Sequence, residues 1–278
     1  MSDLYIIAAG LGSRMKVDMP KALIPISNGI PCLTTTLQQI GHKFENVFVV
    51  WNKSIPRPWQ DYFDELIKSY PELAKNVKSI PIESGLGDGH AVLQALKETQ
   101  TRIAPYNGNN GIEYVLSDDI VIAWGDVFFP QEEIIDELLC SGPPHTVVGI
   151  IPAVREDSPY VTLLTDEHMN CMSADFSKYG ENHPTGFHDQ SVFRFNRNYL
   201  LNALAHLHDA FWKNGRYITQ GGELSLLYTF HQFYNAGCRL RVYETNYPTL
   251  SFNDLSEVAS IQQEISTKWH HKFRPLSS

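Results

Sequence analysis

Residues 4–21 read LYIIAAGLGSRMKVDMPK, and this stretch decides the fold. Leu4–Ala9 is apolar without polar alternation, the pattern of a parallel strand covered on both faces. The chain then turns through Gly10, Leu11, Gly12 and Ser13. Two glycines let the backbone approach a ligand closely and aim N–H groups at it, so an uncharged loop can hold phosphate oxygens. Arg14 adds a planar fork of donors, Lys21 a compact charge, and Pro20 stiffens the approach to Lys21. A lone Gly-x-Gly is most often only a tight strand–helix turn. This one is not a Gly-x-Gly-x-x-Gly dinucleotide loop, because position 15 is Met. It is not a Gly-Lys-Ser/Thr phosphate loop either. Glycine turn, arginine and Pro-Lys together favour a triphosphate ligand, with Arg14 and Lys21 as catalytic charges and residues 8–13 (Ala8, Ala9, Gly10, Leu11, Gly12, Ser13) lining the nucleotide.

The pattern continues outward from this unit. Leu33–Ile40 predicts a helix, Asn46–Trp51 a strand, Asp61–Ser69 a helix, Ser79–Glu83 a strand and His90–Thr99 a helix. Asp119–Trp124 predicts a further strand and Gln131–Leu139 a helix. Strands alternating with helices at this spacing give an α/β fold, a Rossmann-like mixed but mainly parallel sheet flanked by helices. PYNGNNGIE, residues 105–113, predicts a surface loop. From Thr146 the texture changes to TVVGIIPAV, YVTLLT and SVFRF, which predicts a mixed sheet. Helices follow over Asn198–His208 and Glu223–Asn235, the second stopped by Gly237, then a strand over Cys238–Glu244 and a helix over Asp254–Lys268. We expect one domain over 1–278, with a nucleotide-binding half to about residue 140 and an acceptor-binding half from about 141.

Composition narrows the function. Hydrophobic residues make up 43% and charged residues 19% of 278, ordinary for a globular protein, and the net charge is −9. So acidic a surface repels a phosphate backbone, which speaks against nucleic acid as a partner. There is no secretory pattern at the N-terminus and no apolar run of membrane-spanning length. The four cysteines, Cys32, Cys140, Cys171 and Cys238, lack zinc spacing, and reduced thiols in a cytoplasmic protein are the expectation. The histidines form no metal-ligand spacing, and the aromatic 12% is scattered as core residues are.

Three further blocks carry chemistry. Gly85–Val92, GLGDGHAV, precedes a helix, and its His90 reads equally as helix-end packing or as a ligand group. Asp126 in Trp124-Gly125-Asp126-Val127 ends an apolar strand, where open α/β sheets bind ligands, and a carboxylate is the hard oxygen that Mg²⁺ prefers. Ser251–Glu257, SFNDLSE, stands before the last helix, where Asn253 or Asp254 could be either cap or ligand.

Together these blocks resemble the sugar-phosphate nucleotidyltransferase superfamily, the MobA-like NTP-transferase fold related to GT-A. The nearest likeness is to the uridylyltransferase domain acting on N-acetylglucosamine 1-phosphate, and it extends over residues 3–265. Its Gly-x-Gly-x-Arg and Pro-Lys element corresponds to Gly10–Lys21. Its Gly-Thr-Gly-His-Ala block, which contacts the nucleoside, is similar to Gly87, Asp88, Gly89 and His90, with Asp88 replacing threonine. The resemblance implies a Mg²⁺ cofactor held by Asp126 and by Asn253 or Asp254, and an acceptor site at Asp175, Gln190 and Glu223. The family's Asn-Thr-Gly is altered there, with Val192 where the glycine is expected. The implied reaction transfers NMP from an NTP to a small phosphorylated acceptor, a sugar 1-phosphate, and releases pyrophosphate. A cytidylyltransferase for a non-sugar phosphate and a silent nucleotide-binding regulator are the alternatives. Retention of Arg14, Lys21 and Asp126 together favours the enzyme. A GT-A glycosyltransferase is disfavoured because Gly125-Asp126-Val127 lacks the first carboxylate of Asp-x-Asp.

Overall fold

The computed structural model describes residues 2–10, 15, 19–83, 85–103, 116–141 and 147–269. The loop expected over 105–113 and the pair His270-His271 lie outside the described residues.

β1 (Asp3–Ile7) shows how the sheet is built. Its side chains alternate between two cores. Tyr5 and Ile7 enter one cluster, while Leu4 and Ile6 enter the other, and all four are buried. A strand with apolar residues on both faces needs cover on both, and helices supply it. After β1 come the hairpin β2 (Pro25–Ser27) and β3 (Ile30–Pro31), then α1 (Cys32–Ile40), β4 (Val47–Asn52), α2 (Pro56–Ser69), α3 (Pro71–Ala74), β5 (Val77–Ile82) and α4 (Asp88–Ile103). β6 (Asp119–Trp124), β7 (Val127–Phe128), α5 (Glu133–Cys140), β8 (Gly149–Asp157), β9 (Val161–Thr165), β10 (Cys171–Phe176), β11 (Thr185–Asp189) and β12 (Val192–Asn196) follow. The chain continues through α6 (Arg197–Phe211), the hairpin β13 (Trp212–Lys213) and β14 (Arg216–Tyr217), α7 (Tyr228–Asn235), β15 (Leu240–Glu244), β16 (Leu250–Ser251) and α8 (Leu255–Glu264).

Ten strands form one sheet in the order β10-β9-β11-β8-β12-β6-β1-β4-β5, with β15 also on β8. β5, β4, β1 and β6 run parallel, and β12 joins β6 antiparallel. β8 pairs with β15 along its first half and with β11 along its second. α4, α6 and α7 cover one face; α1, α2 and α5 cover the other. Because the chain leaves β1 toward β4 and returns on the other side as β6, a switch point opens at the C-terminal end of β1. A third, smaller cluster joins Met15, Ile24, Ile26, Cys32 and Phe128 to Phe252, Val258, Ile261 and Ile265.

The sheet is mixed and mainly parallel in its first half, as the alternation indicated. Three elements differ. β10 and β11 have no strong alternation, and their sequences CMSADF and TGFHD gave no strand signal, because both stand near the sheet edge with most side chains half-buried. The helix expected from Glu223 begins only at Tyr228. The reason is tertiary: residues 224–226 are held as a loop against the start of α4, and the Leu226 N–H that a helix would use donates to Asp88 Oδ1 at 2.6 Å.

Candidate active site

At the C-terminal end of β1, Ala8 donates its N–H to Val50 O at 2.8 Å, so the strand pairing continues past Ile7. Ala8, Ala9 and Gly10 then border a hollow of about 390 Å³, closed on other sides by Lys21, Gly87, Asp88, Trp124, Asp126 and Glu223. Gly125 lets β6 lie against β1 here, since a Cβ on it would stand 2.7 Å from Ala8 Cβ. Leu11, Gly12, Ser13 and Arg14 lie outside the described residues.

Lys21 opens a single 3-10 turn, Lys21–Leu23, after Pro20. Its ammonium pairs with Asp126 Oδ2, which projects from the turn between β6 and β7. It also stands 3.4 Å from Asn253 Oδ1 and 5.4 Å from the centre of the Phe252 ring. Three segments far apart in sequence therefore converge on one cation, and the pair is mostly buried, with 17% and 24% of the two side chains exposed. Asp126 and Asn253 both offer hard oxygen, and both already face a positive charge, so the donor set suits Mg²⁺. Among the described residues no group of three or more His, Cys, Asp or Glu side chains could hold a metal. A metal here would need oxygens from a ligand.

Asp254 does not join them, and its expected ligand role is corrected. Its Oδ1 accepts the backbone N–H of Ser256 at 2.8 Å and of Glu257 at 3.0 Å, making it the N-cap of α8. The Ser256 hydroxyl and these N–H groups hold its carboxyl below the usual range.

The loop before α4 forms the wall opposite β1. Gly87 takes φ +98°, and a Cβ on it would strike Leu224 O at 2.3 Å. A Cβ on Gly89 would lie 2.7 Å from Leu226 N. Two backbone bonds, Leu224 N–H to Leu86 O and Gly89 N–H to Leu224 O, both 2.9 Å, tie the segments together. Burial pushes the Asp88 carboxyl up to about 6, against the bonds from Leu226 and Ser225. His90 points away from the hollow. Its Nδ1 lies 2.6 Å from the Tyr217 hydroxyl, its ring packs on Trp212, and burial lowers its pKa to about 4, so it packs rather than binds.

A second hollow of about 250 Å³ shares Lys21, Gly87, Asp88, Trp124, Asp126 and Glu223 with the first. Beyond them it is bordered by Phe176, Lys178, Tyr179, Asp189, Ser191, Tyr228 and Asn253. The Lys21–Asp126 pair stands where the two hollows meet.

The expected acceptor residues fare unevenly. Glu223 is at the junction. Asp175 is not among the lining residues, and its Oδ2 is 2.8 Å from His183 Nε2. Gln190 is corrected: it is 3% exposed, and its Oε1 accepts the Thr249 N–H at 2.7 Å, so it holds the approach to β16. Its neighbours His188, Asp189 and Ser191 border the hollow instead. Ser191, with φ +56°, then stands in the backbone region that favours glycine. Sequence reasoning missed Asp189, Lys178 and the aromatic wall of Phe176, Tyr179 and Tyr228. A wall assembled from two strands and a helix leaves no local motif.

A mainly parallel sheet with two adjoining hollows at its switch point, joined by a buried lysine–aspartate pair, is the frame of a nucleotidyltransferase of the NTP-transferase type. Residues 4–207, more than half of the chain, match the MobA-like NTP transferase domain, and the chain belongs to that family. It is 32% identical over 126 residues to the bifunctional protein GlmU of Nitrosomonas europaea, across 45% of this chain and 23% of that protein. The chain thus matches about a quarter of the length of such relatives. Among solved structures, UDP-glucose pyrophosphorylase complexed with UDP-glucose superposes with a TM-score of 0.71 at 12% identity, over 96% of this chain and 99% of that one. The inositol-1-phosphate CTP transferase from T. maritima gives 0.64 at 15%, over 96% and 97%. At such identities the likeness is one of fold.

No helix among the described residues is long and apolar enough to cross a membrane.

Proposed function

We propose that this protein transfers the NMP group of an NTP to a small phosphorylated acceptor, in the class of sugar 1-phosphates, and releases pyrophosphate with Mg²⁺ as cofactor. The observation that carries this reading is the Lys21–Asp126 pair at the meeting point of the two hollows. The larger hollow, walled by Ala8–Gly10 and Gly87, suits the NTP. The smaller suits the acceptor. An acceptor phosphate oxygen attacks the α-phosphorus in line, a new P–O bond forms, and the bond to the bridging oxygen of the β-phosphate breaks so that pyrophosphate leaves. No nucleophile–base pair stands between the hollows among the described residues, and catalysis is mainly positioning and charge neutralisation. Lys21 faces the polyphosphate once drawn off Asp126, and Arg14 joins it by family resemblance. Mg²⁺ held by Asp126 and Asn253 would neutralise phosphate charge. Proteins of this fold differ in base and acceptor, as the UDP-glucose pyrophosphorylase complex with UDP-glucose and the inositol-1-phosphate CTP transferase illustrate. The four free cysteines support a reducing, cytoplasmic setting.

The four NTPs combined with a panel of phosphorylated acceptors, assayed for pyrophosphate with and without a chelator, test the reading. One pairing should give chelator-sensitive pyrophosphate release without any nucleotidylated enzyme. Trapping such an intermediate, or turnover that survives exhaustive chelation, would contradict it.

A further inference from the structure

The acceptor hollow has the wrong charge for a simple phosphate ester. Asp88, Asp126, Asp189 and Glu223 border it, against Lys21, Lys178 and the imidazole of His188 among the described residues, and that imidazole is already bonded to Glu156 Oε2 at 2.9 Å. Lys21 is already paired with Asp126. The balance left is negative, and a phosphate dianion entering alone meets repulsion.

Asp189 sharpens the point. It is 5% exposed, borders the hollow, and the Ser191 N–H at 2.9 Å satisfies one of its two oxygens. Asparagine would hold a sugar hydroxyl at the same place without burying a charge. A buried carboxylate gains over an amide when its partner is a cation.

An independent feature borders the same hollow. The Phe176 ring contacts those of Tyr179 and Tyr228, at 5.7 and 6.1 Å between centres. The Lys178 ammonium stands 5.4 Å from the Phe176 centre and 4.8 Å from that of Tyr179. Aromatic faces attract cations, and these rings already host one, on an exposed stem free to turn toward a phosphate.

The geometry points to an acceptor that is a zwitterion, carrying a protonated amine along with its phosphate, with the amine between Asp189 and the ring wall and the phosphate toward Lys21. This rests on the nucleotidyltransferase reading and specifies its acceptor. Two sources share the chemistry: a phosphorylated amino alcohol and an amino sugar 1-phosphate.

Matched pairs separate them. Phosphoethanolamine is compared with ethylene glycol monophosphate, and glucosamine 1-phosphate with glucose 1-phosphate. Each is titrated calorimetrically into the protein and into Asp189→Asn, and each is assayed for pyrophosphate release with the four NTPs. The amine member of one pair should bind about 10- to 100-fold more tightly, the range of a charge-assisted contact, and the advantage should shrink to within about threefold in Asp189→Asn. The pair that shows the advantage identifies the source. Should Asp189→Asn fail to fold by circular dichroism, Glu223→Gln, on an exposed residue, should cut the same advantage severalfold. Equal affinities within both pairs, no binding by any of the four, or an advantage that persists in the folded variants overturns the inference. Pyrophosphate release from glucose 1-phosphate without amine preference would sink it and leave the transferase reading standing. Amine-selective binding with no pyrophosphate from any pairing would do the reverse.

Discussion

Lys21 and Asp126 come from segments 105 residues apart, yet each is useful only beside the other. Lys21→Ala should lower kcat/KM by on the order of 10²-fold, as removal of a charge contact in the transition state does. Steady-state kinetics at saturating Mg²⁺ would show it, and near-normal values would remove the phosphate assignment. Asn253 and Asp254 separate two roles that the sequence left merged. Asn253→Ala should raise the Mg²⁺ concentration needed for half-maximal rate while leaving the melting point close to wild type. Asp254→Ala should lower the melting point by a few degrees through the lost cap and leave the Mg²⁺ requirement alone. The opposite pattern would exchange the assignments. Asp88 gives a pH signature. Burial raises its carboxyl to about 6, so the folded chain holds that proton more tightly than the unfolded one. Its contribution to stability is full below the ordinary carboxylate value of 3.8 and is lost as pH rises through about 6. In urea melts, wild type should therefore compare better against Asp88→Asn at pH about 4.5 than at about 8, and an unchanged or reversed margin would refute this. At this scale the sequence singled out the residues whose neighbours form motifs, Lys21, Asp126 and the glycine block, and the fold brings them to one hollow. It singled out Gln190, which is buried against Thr249, and passed over Asp189 beside it, which borders the hollow, because an irregular strand end carries no local signal of which side chains face inward.

At the scale of elements, the docking of the α4 entry on residues 224–226 ties the two substrate walls together. The fit needs glycine at 89, where a Cβ would meet the backbone of Ser225 and Leu226, both at 2.7 Å, and backbone cannot swing aside as a side chain can. Gly89→Ala should raise the KM for NTP and for acceptor together, whereas a substitution in one wall alone should move only one of them. A change confined to the NTP would show that the walls move independently. The same docking explains why the α7 boundary was misread: GGELSLL has helical spacing, but the Leu224 N–H is taken by Leu86 O and the Leu226 N–H by Asp88. Elements with strong local signals, β1, β4, β6 and α6, appear within a residue or three of their expected limits. Those set by distant partners, β10 and β11, do not announce themselves. Even the two short hairpins carry a local sign, Asn-Gly at 28–29 and at 214–215, each with φ positive at both residues.

Across the whole molecule, one buried ion pair locks the second half to the first. Arg197, at the start of α6, donates to Asp3 Oδ2, to the Tyr5 hydroxyl and to Ser117 O, each at 2.8 Å. Asp3 also accepts from Asn46 Nδ2 at 2.7 Å, and the two charges are 1% and 4% exposed. Arg197→Ala strands a buried carboxylate and should cost about 3–5 kcal/mol in denaturant unfolding. A loss below about 1 kcal/mol would mean that water repairs the site. The order of strands was legible only in part, since β/α alternation predicts parallel pairing but not that β15 returns to lie beside β8. Nor could it show the third cluster, in which Met15, Ile24 and Ile26 pack on Phe252, Val258 and Ile261, with Gln262 Nε2 donating to Pro25 O at 2.9 Å. That packing has a consequence for synthesis on the ribosome. The first half can pair its strands and seat Ala22 and Leu23 while the remainder is still being translated, but the side of Met15, Ile24 and Ile26 that packs on Phe252, Val258 and Ile261 stays uncovered until residues 252–265 have emerged. The reactive centre is thus completed late, because Asn253 reaches the Lys21–Asp126 pair only once the C-terminal segment has docked.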